Sequence, residues 1–524
     1  MESTKRSPDE KSIFEISKSQ VSKPNILFTH IEEPRLVFAN GGMHEDPKEG
    51  IRRHGPKTYG TTAHPSSIRI GFVGTPETID LAQKWCETCL AQITGKEGAS
   101  LTHLFQDFPG FKTSFFTEFT FNAHWNQQIN RNELDRLIRM ADKKEGFEGA
   151  VGLVTKKVTD ITEQDSKPDV IVISLPEEIE NYYKSVGKAK PEEKVKLTPA
   201  EKRLKQFMQE QKAEGQTGLF GPLEVEDFEN TSVYRNFRRA LKARVMSQNI
   251  PIQILLSSRL KSDRGIQDAA TRAWNFCTAM YYKAGGIPWN IAIEKDTCFV
   301  GISFYKHVTE TSTATHTSLA QVFTDRGDFL VLRGSKFYWD PKLGKDPHLT
   351  YDGANNLIKQ VLERYKEKTG NLPRRVVIHK SSKYQPEELK GFLEPLKEVE
   401  QYDLITLYST GIRFFRAGDY PVLRGTYCSI SDQAHFIFTQ GYVPYLETYP
   451  SSYVPEPLEI VQHIGDSTKK KICDEIIALS KMNWNNCDFA NKKPITLSFA
   501  QKVGEILSYI PEGETPNPSY KFYM

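Results

Sequence analysis

The sequence predicts an α/β protein with a parallel sheet in its first half and a mixed sheet in its second half. Short apolar segments alternate with amphipathic helical patterns between residues 68 and 284, which is typical of parallel strands joined by crossover helices. In the second half, three strand-like segments follow one another before the next helical pattern. The 524 residues are 38% hydrophobic, enough to fill the cores of roughly two to four domains.

The elements of the first half follow from their apolar patterns. IRIGFVG (68–74) predicts a buried strand, and Thr75 and Pro76 supply the cap and the first-turn proline of the next helix. DVIVISL (169–175) predicts a second buried strand, whereas the aromatic TSFFTEFTFNAHW between them is less regular. The remaining elements are a helix over 233–248, the strand PIQILLS (251–257) and a helix from about 267 to 284.

The second half opens with strands. They are TCFVGISFY (297–305), LAQVFTD (319–325) and FLVLRG (329–334). A helix with a 3.6-residue apolar repeat, ANNLIKQVLERYKEK, and a buried strand, RVVIHKS, come next. Further strands at DLITLYS, TYCSI and AHFIFTQ precede helices near 468–482 and 495–508. Antiparallel strands followed by a helix and another strand are typical of a ribonuclease-H-like module.

Composition divides the chain into a tail and two domains. Residues 1–30 are rich in Ser, Lys and Glu, which predicts a flexible N-terminal tail, with order beginning near ILFTHIEEPRLVFAN. An N-terminal segment and the first domain occupy 31–285, with a Lys- and Glu-rich insertion at about 185–230. The second domain occupies 286–524.

Composition also excludes several classes of protein. The 69 Lys and Arg against 66 Asp and Glu leave a net charge of +3, which argues against a polybasic nucleic-acid binder. No apolar stretch approaches the ~18 residues of a membrane helix, and the N-terminus lacks the apolar core of a secretory signal, so we expect a soluble, cytoplasmic protein. Seven scattered cysteines suit a reducing compartment. Cys86 and Cys89 share a helical pattern, and we expect them to pack in a core.

Positive charge is concentrated in one part of the chain. Residues 231–290 contain ten Lys and Arg and two acids, a net +8, so the remainder nets −5 (3 − 8). Such a run is often a solvated helix face. Here Arg238 and Lys242 are four residues apart on one helix face, and no Asp or Glu occurs from 231 to 262. Cations on a packed helix repel one another unless an anion binds, so this segment suggests an anion site.

Two more residues complete a candidate pocket. Gln253 offers two donors and an acceptor from the start of a strand, and Lys283 adds a compact ammonium at the end of a helix. Together with Arg238 and Lys242 they would suit a terminal phosphate that carries close to two negative charges.

Several blocks of sequence resemble, in order, the short prokaryotic Argonautes, which keep only the MID and PIWI domains. EPRLVFANGGMHEDPKEGIRRHGP (33–56) resembles the opening segment of that family, and FRRALKARVMSQNIPIQIL (237–255) resembles its MID phosphate-binding block. The other similar blocks are YYKAGGIPWNIA (281–292) at the junction into PIWI, VVIHKSSKYQPEE (376–388) and NWNNCDFANKKPITLSFAQKVGEIL (483–507). The resemblance implies a Rossmann-like MID domain followed by a ribonuclease-H-like PIWI domain.

The resemblance also gives the four pocket residues a role. In that family a Tyr or His, then Lys, Gln and Lys, bind the 5′-phosphate of a guide strand, and the corresponding positions are Arg238, Lys242, Gln253 and Lys283. Arg238 departs from the aromatic residue or His, although a guanidinium can stack on a base and adds a phosphate donor. The resemblance further implies a structural Mg²⁺ ion beside the phosphate, bound by the C-terminal carboxylate of Met524.

The same resemblance implies that strand cleavage has been lost. Ribonuclease-H-like cleavage needs carboxylates that gather two metal ions ~3.5–4 Å apart. The corresponding positions are Ser303, Ser381 or its neighbour Ser382, and Gln501, and none of these supplies negative charge. The carboxylates nearest in sequence, which we do not expect to rebuild the site, are Asp296, Asp325 and Asp328.

Nucleic-acid binding would survive that loss. We expect the sugar–phosphate backbone to contact His379, Lys380, Arg424 and Lys336. Binding through backbone charge weakens as salt rises, because neutralised phosphates release counterions. Target sequence would be read by base pairing to the guide.

The resulting hypothesis is a catalytically inactive short Argonaute. It would bind a 5′-phosphorylated guide, preferentially RNA, and recognise complementary single-stranded DNA. The resemblance implies a separate partner with an APAZ region fused to an effector, switched on by guide–target pairing in prokaryotic defence against plasmids or phages. That effector would be a TIR or sirtuin-like NAD-degrading domain, or alternatively a nuclease, and assembly into a higher oligomer stays open.

Two alternative functions belong to other classes. The first is an active guide-directed endonuclease. The second is a small-molecule α/β enzyme that uses IRIGFVGTPETI as a phosphate loop, although Gly71 and Gly74 form no GxGxxG pattern.

Overall fold

A computed structural model describes the chain from residue 26 to its last residue. Apart from residues 1–25, the parts left out of this description are 97–101, 178, 180–235, 262–266, 307–314, 325–328, 339–346, 415–420, 431–433, 452 and 511–513. Most of the predicted tail and the whole predicted insertion therefore lie outside the described residues.

The described residues form three sheets. Their strands are β1 (Ile26–His30), β2 (Leu36–Val37), β3 (Met43–His44), β4 (Ser67–Gly74), β5 (Glu118–Gln128), β6 (Val170–Leu175), β7 (Ile252–Leu256), β8 (Asn290–Ile291), β9 (Thr297–Lys306), β10 (Thr315–Thr324), β11 (Phe329–Tyr338), β12 (Arg375–Lys380), β13 (Gln401–Ser409), β14 (Thr426–Ile430), β15 (Ala434–Ile437) and β16 (Leu458–Gly465). The sheet orders are β5-β4-β6-β7, β3-β2-β8 and β1-β14-β15-β16-β13-β12-β9-β10-β11.

Helices cover the two larger sheets. They are α1 (Pro47–His54), α2 (Pro76–Thr88), α3 (Phe111–Phe115), α4 (Arg131–Ile138), α5 (Lys143–Thr162), α6 (Phe237–Val245), α7 (Ser257–Lys261), α8 (Ala269–Lys283), α9 (Tyr351–Thr369), α10 (Pro386–Leu396), α11 (Lys469–Leu479) and α12 (Ile495–Leu507). Within the described part of the chain, no helix is long and apolar enough to cross a membrane.

The four-stranded sheet is parallel throughout and lies between two helical layers. Val170 and Val172 belong to the same core as α2 and α8, whereas Ile171 and Ile173 face α5 and α6 on the other side. Neighbouring residues of a strand point to opposite faces, so a strand covered on both sides is apolar throughout. This arrangement confirms the predicted parallel α/β sheet.

The nine-stranded sheet is mixed. Strands β9, β12 and β13 run parallel at its centre, and β10 and β11 extend it antiparallel beyond β9. Val300 and Ile378 pack under α9 and α10 on one face, and Phe299 and Val377 face α11 and α12 on the other. Antiparallel strands, a helix and then a parallel strand were predicted for this half, and the structure confirms them.

The two large sheets are joined through the last helix and the N-terminal segment. The Asn236 amide at the start of α6 donates to the hydroxyl of Tyr509, just beyond α12, at 2.6 Å. Arg239 of α6 forms an ion pair with Glu505 of α12. In the three-stranded sheet, β2 pairs with β8, the strand that follows the predicted junction at residue 285. The domain limits themselves stay a prediction.

The cysteine prediction is confirmed. All seven cysteines are free and buried, and Cys86 and Cys89 are fully buried in the core beside α8. Burial raises the pKa of the Cys86 thiol well above its ordinary value, which keeps it protonated and unreactive.

Ile26–His30, at the start of the segment where order was predicted to begin, forms an edge strand in which Ile26 lies opposite Ile430 of β14. One local prediction was wrong. The segment predicted to be less regular forms β5, an eleven-residue strand that pairs in parallel with β4 and buries Phe119 and Trp125. Helices α1, α4, α5 and α10 and strand β16 were not predicted.

Candidate nucleic-acid interface

Helices α6 and α8 and strand β7 position the four predicted pocket residues. Asn236 caps α6 by accepting a hydrogen bond from the Arg239 amide at 3.2 Å. Buried Phe237 and Leu241 fix one stripe of α6 against the sheet, so Arg238 is exposed and Lys242 half-buried beside that stripe.

The structure brings two of these residues into direct contact. The Lys283 ammonium, at the C-terminal end of α8, donates to Gln253 Oε1 of β7 at 2.5 Å. Lys283 is only 1% exposed, and Gln253 is half-buried. The amide oxygen thus holds a buried ammonium in place, since a charge removed from water needs hydrogen-bond partners.

Electrostatics show that the three cations lie close together. Burial, and then the positive charge of Arg238, lower the pKa of Lys283 to about 7. Burial, Lys283 and Arg238, in that order, hold the pKa of Lys242 well below its ordinary value. Cations that lower the pKa of a neighbouring ammonium form a site where bound negative charge is stabilising. Lys502 of α12 adds to the repulsion at Lys242 and was not among the predicted site residues.

The end of the chain lies at the same place. The Lys242 ammonium donates to the Tyr523 carbonyl at 3.4 Å, and the Tyr523 hydroxyl donates to the Asn517 carbonyl at 2.8 Å. Met524 is 5% exposed and follows that carbonyl directly. The Tyr523 carbonyl therefore lies at the pocket, and the role of Met524 as a metal ligand stays a prediction.

The three positions predicted to replace catalytic carboxylates lie in β9, just beyond β12 and in α12. Gly301 of β9 lies opposite His379 of β12, and both face Thr496 of α12. Since side chains two residues apart in a strand point to the same face, Ser303 of β9 also points toward the α12 side, whereas Ser381 lies just beyond β12 and is exposed. Gln501 of α12 accepts a hydrogen bond from the Lys493 ammonium at 3.4 Å. Lys493 is a second residue that the sequence analysis missed.

The nearby carboxylates and Ser382 do not join this group. Asp296 precedes β9, so it lies at the opposite end of the strand from Ser303, ~23 Å away at ~3.3 Å per residue. Ser382 is buried and donates to the Pro347 carbonyl at 2.9 Å. Asp325 and Asp328 lie outside the described residues. Within the described ranges, no group of three or more His, Cys, Asp or Glu side chains converges on a metal position.

The expected backbone-contacting residues are corrected by the structure. His379 is fully buried, and its ring nitrogen Nδ1 shares a hydrogen bond of 2.8 Å with the Thr496 hydroxyl. Burial lowers the pKa of His379 to about 3. Lys380 is fully buried and donates to both carboxylate oxygens of Glu388 at 2.5 and 2.6 Å. Arg424 is 3% exposed and pairs with Glu33 at 2.8 Å. These side chains stabilise the interior and present no charge to a strand. The Lys336 side chain lies outside the described residues.

The small-molecule alternative is not supported by its two glycines. A Cβ on Gly71 would lie 2.7 Å from the Trp125 carbonyl oxygen, and one on Gly74 would lie 2.2 Å from that of Ser174. Both glycines are thus explained by close strand packing, and Thr75 caps α2 as predicted.

The comparisons with known proteins agree with this architecture. No family model and no curated protein matches the chain. Among solved structures, Clostridium butyricum Argonaute bound to a guide DNA and a 19-mer target DNA is similar at 16% identity, with a TM-score of 0.60 over 93% of this chain and 54% of that one. A. aeolicus Argonaute is similar at 13% identity, with a TM-score of 0.52 over 94% of this chain and 54% of that one. Drosophila Piwi is similar at 11% identity, with a TM-score of 0.55 over 94% of this chain and 56% of that one.

The fold is therefore that of the Argonaute and Piwi proteins. At such low identity the likeness shows the fold alone, and the chain spans about half the length of these structures. The predicted Rossmann-like MID domain followed by a ribonuclease-H-like PIWI domain is confirmed.

Proposed function

We propose that this protein is a guide-directed nucleic-acid sensor that binds the 5′-phosphate of a guide strand and pairs that strand with a complementary target. The observation that carries the proposal is the convergence of Lys242, Lys283 and the chain end in an Argonaute-like fold. The similar Clostridium butyricum protein is bound to guide and target DNA, which supports a nucleic-acid ligand here.

A terminal phosphate suits the pocket better than an internal phosphodiester. A terminal phosphate carries ~1.5–2 negative charges at neutral pH, whereas an internal phosphodiester carries one. Two buried or half-buried ammonium groups and a guanidinium need about that much compensation. Gln253 would orient the Lys283 ammonium, Lys242 would bridge the phosphate and the chain end, and Arg238 would contact the phosphate or the first base.

A Mg²⁺ ion would fit at the chain end. The Met524 carboxylate is an oxygen donor of the kind that Mg²⁺ accepts together with phosphate oxygens. When bound, the ion would supply further positive charge to the phosphate. Lys242 would still hold the Tyr523 carbonyl and so keep the carboxylate at the pocket.

We further propose that the protein binds its target without cleaving it. Ser303, Ser381 and Gln501, which by resemblance correspond to the positions of catalytic carboxylates, are neutral. By resemblance the guide would be RNA and the target single-stranded DNA. The reaction that follows recognition would belong to a partner with an APAZ region and a TIR, sirtuin-like or nuclease effector, in defence against plasmids or phages.

Guide binding tests the core of the proposal. The purified protein should bind a 5′-phosphorylated 20-mer RNA much more tightly than the same RNA with a 5′-hydroxyl. Lys242→Ala with Lys283→Ala should weaken the phosphorylated guide at least 100-fold, since each charged hydrogen bond is worth about 1.5–3 kcal/mol. Lys84→Ala, at an exposed residue of α2 that pairs with Asp80, is the matched control and should bind as wild type does. Equal binding of both RNAs would refute the proposal.

Cleavage and partner activity are tested with the loaded protein. A labelled complementary DNA should stay intact in the presence of Mg²⁺ or Mn²⁺ while gel shift shows that it is bound. A specific cut product would favour the endonuclease alternative. Coexpression with the product of the neighbouring open reading frame, followed by measurement of NAD loss on target addition, tests the effector proposal.

A further inference from the structure

The most informative feature outside the 5′-phosphate pocket is the edge of the nine-stranded sheet that β1 forms. Within the described part of the chain, β14 is the one strand that pairs with β1. All five residues of β1 are exposed, and Ile26, Leu27 and Phe28 are 45%, 59% and 62% exposed. Proteins usually protect a sheet edge with charge, proline or a covering segment, and ILFTH contains no Asp, Glu, Lys, Arg or Pro. This edge therefore lacks the usual local protection.

The apolar side chains of β1 are held from one side only. Ile26 and Phe28 point to the same face of the sheet, since they are two residues apart. On that face the Phe28 ring contacts the Phe414 ring edge-on, with centroids 5.9 Å apart. Phe414 in turn contacts Phe436 and Phe438, with centroids 6.4 and 5.4 Å away. Phe28 thus extends an aromatic cluster to the sheet edge, where a further strand would cover it.

The size of this patch decides between a second copy of the protein and a segment of the same chain. Taking ~200 Å² for a large side chain, three that are about half exposed offer roughly 300 Å². A specific interface needs about 800 Å² on each partner, so two copies paired through β1 would bind weakly. A segment joined to β1 by a short linker has an effective concentration in the millimolar range, so a much smaller contact holds it. The patch therefore suits a segment of the same chain.

The sequence directly before β1 contains one suitable segment. Residues 1–25 lie outside the described residues and are mostly polar, and SIFEIS (12–17) is the one run among them with three large apolar residues. Phe14 and Ile16 are two residues apart, as are the two apolar residues on the Phe414 face of β1. The residues between this SIFEIS segment and β1, KSQVSKPN, are enough to reverse the chain, and proline and serine favour turns.

We propose that the SIFEIS segment adds to the edge of the nine-stranded sheet as a strand antiparallel to β1. Phe14 lies opposite Phe28, and Ile16 lies opposite Ile26, so both apolar pairs are on the face that carries the aromatic cluster. The chain then supplies the cover for its own apolar sheet edge. This inference concerns the sheet edge alone and does not depend on guide binding.

The hydrophobic pattern specifies this register. With Phe14 opposite Phe28, Glu15 points to the other face of the sheet and lies opposite Leu27. A shift of one residue in either direction would place the Glu15 carboxylate on the aromatic face and remove both apolar pairs. A single register is therefore expected, which a site-specific crosslink can detect.

Disulfide crosslinking in the full-length protein tests the register. Residues directly opposite in an antiparallel pair have Cα atoms about 4.5–5.5 Å apart, which suits a disulfide. Glu15→Cys with Leu27→Cys should form a bond on mild oxidation at least about tenfold faster than the control Lys5→Cys with Leu27→Cys, by peptide mapping. Mixing isotope-labelled and unlabelled copies identifies the source of each half. A bond between two copies, or equal rates for the two pairs, would overturn the inference.

Amide hydrogen exchange tests the cover without new cysteines. In wild type, the SIFEIS amides should exchange at least about tenfold more slowly than in Phe14→Ser with Ile16→Ser, and the β1 amides should also exchange faster in that variant. Lys18→Ser with Gln20→Ser is the matched control, since it changes two tail residues outside the segment and should exchange as wild type does. Fast SIFEIS exchange in wild type, or protection that rises with protein concentration, would contradict a strand supplied by the same chain.

Discussion

The affinity for a 5′-phosphorylated guide should fall as pH rises above 7. Lys283 is a buried ammonium whose pKa is lowered to about 7 by burial and by Arg238. A bound phosphate stabilises the protonated form, so its pKa rises on binding and the free pocket takes up a proton above pH 7. Binding that consumes a proton weakens as protons become scarce.

The size of the effect follows from the fraction of free protein that is already protonated at Lys283. With a pKa of about 7, that fraction is about one half at pH 7 and about one eleventh at pH 8, so affinity should weaken about fivefold, or about 1 kcal/mol. Below pH ~6 the phosphate loses its second negative charge, which also weakens binding. The optimum should therefore lie between about pH 6 and 7.

Fluorescence anisotropy with a labelled guide, from pH 5.5 to 8.5 at constant ionic strength, measures this profile. A guide with a 5′-hydroxyl serves as the control and should show little change above pH 7. Lys283→Arg keeps its charge over the whole range and should flatten the alkaline limb, and Lys283→Met should bind weakly with a flat profile. An alkaline loss that is the same in wild type and Lys283→Arg would refute the reasoning.

Three further predictions concern stability, each measured as the free energy of unfolding in urea without a guide. The free energy of unfolding should rise from pH 7 toward pH 10. Lys283 has a pKa of about 7 in the folded protein and an ordinary value of 10.5, so the unfolded chain binds more protons in that range. Lys283→Met should reduce the slope of the unfolding free energy against pH. Arg375→Met should cost about 3–5 kcal/mol by leaving two buried carboxylates without their partner, whereas Arg374→Ala at the surface should change stability by under about 0.5 kcal/mol. Gly301→Ala should cost at least about 1–3 kcal/mol, because the added Cβ would lie 2.0 Å from a backbone oxygen of α12. Gly152 of α5 has open space around it, so Gly152→Ala should stabilise the protein by about 0.5–1 kcal/mol. An unchanged stability of Arg375→Met or Gly301→Ala would contradict the packing described above.

Buried strands were the easiest elements to predict from the sequence. VIVISL in β6 is apolar except for Ser174 because helices cover both faces of its sheet, and no helical period competes with it. Helix α5 was harder, since Gly146, Gly149 and Gly152 lower its helix propensity although eight of its residues are buried. Its stability comes from packing against β6 and α6, and a single sequence does not show that partner.

The pocket residues were predictable because they share one local pattern. Arg238 and Lys242 are on one helix face without a nearby acid, and Lys283 ends a helix whose capping signals are visible in the sequence. The error at Arg424 has the opposite cause. Arg424 is neutralised by Glu33, 391 residues away in the chain, and a distant carboxylate gives no local signal. A sequence can show that a cation is available to a ligand only if the acids that could pair with that cation lie near it in the chain.

The difference between cations paired with acids inside the protein and cations without a nearby acid explains why a protein with a net charge of +3 can be proposed as a binder of nucleic acid. Glu388 neutralises the buried Lys380, and Glu33 pairs with both Arg424 and Lys481, so two of these three positive charges are compensated inside the protein. At the end of α8, by contrast, burial and neighbouring cations lower the pKa of both lysines: Lys283 and Arg238 act on Lys242, and Arg238 acts on Lys283, so charge compensation there is incomplete. Weak overall attraction and strong local attraction together favour a ligand that has one charged end and is otherwise recognised by base pairing. Such a protein would load a phosphorylated guide selectively without coating itself with unrelated nucleic acid.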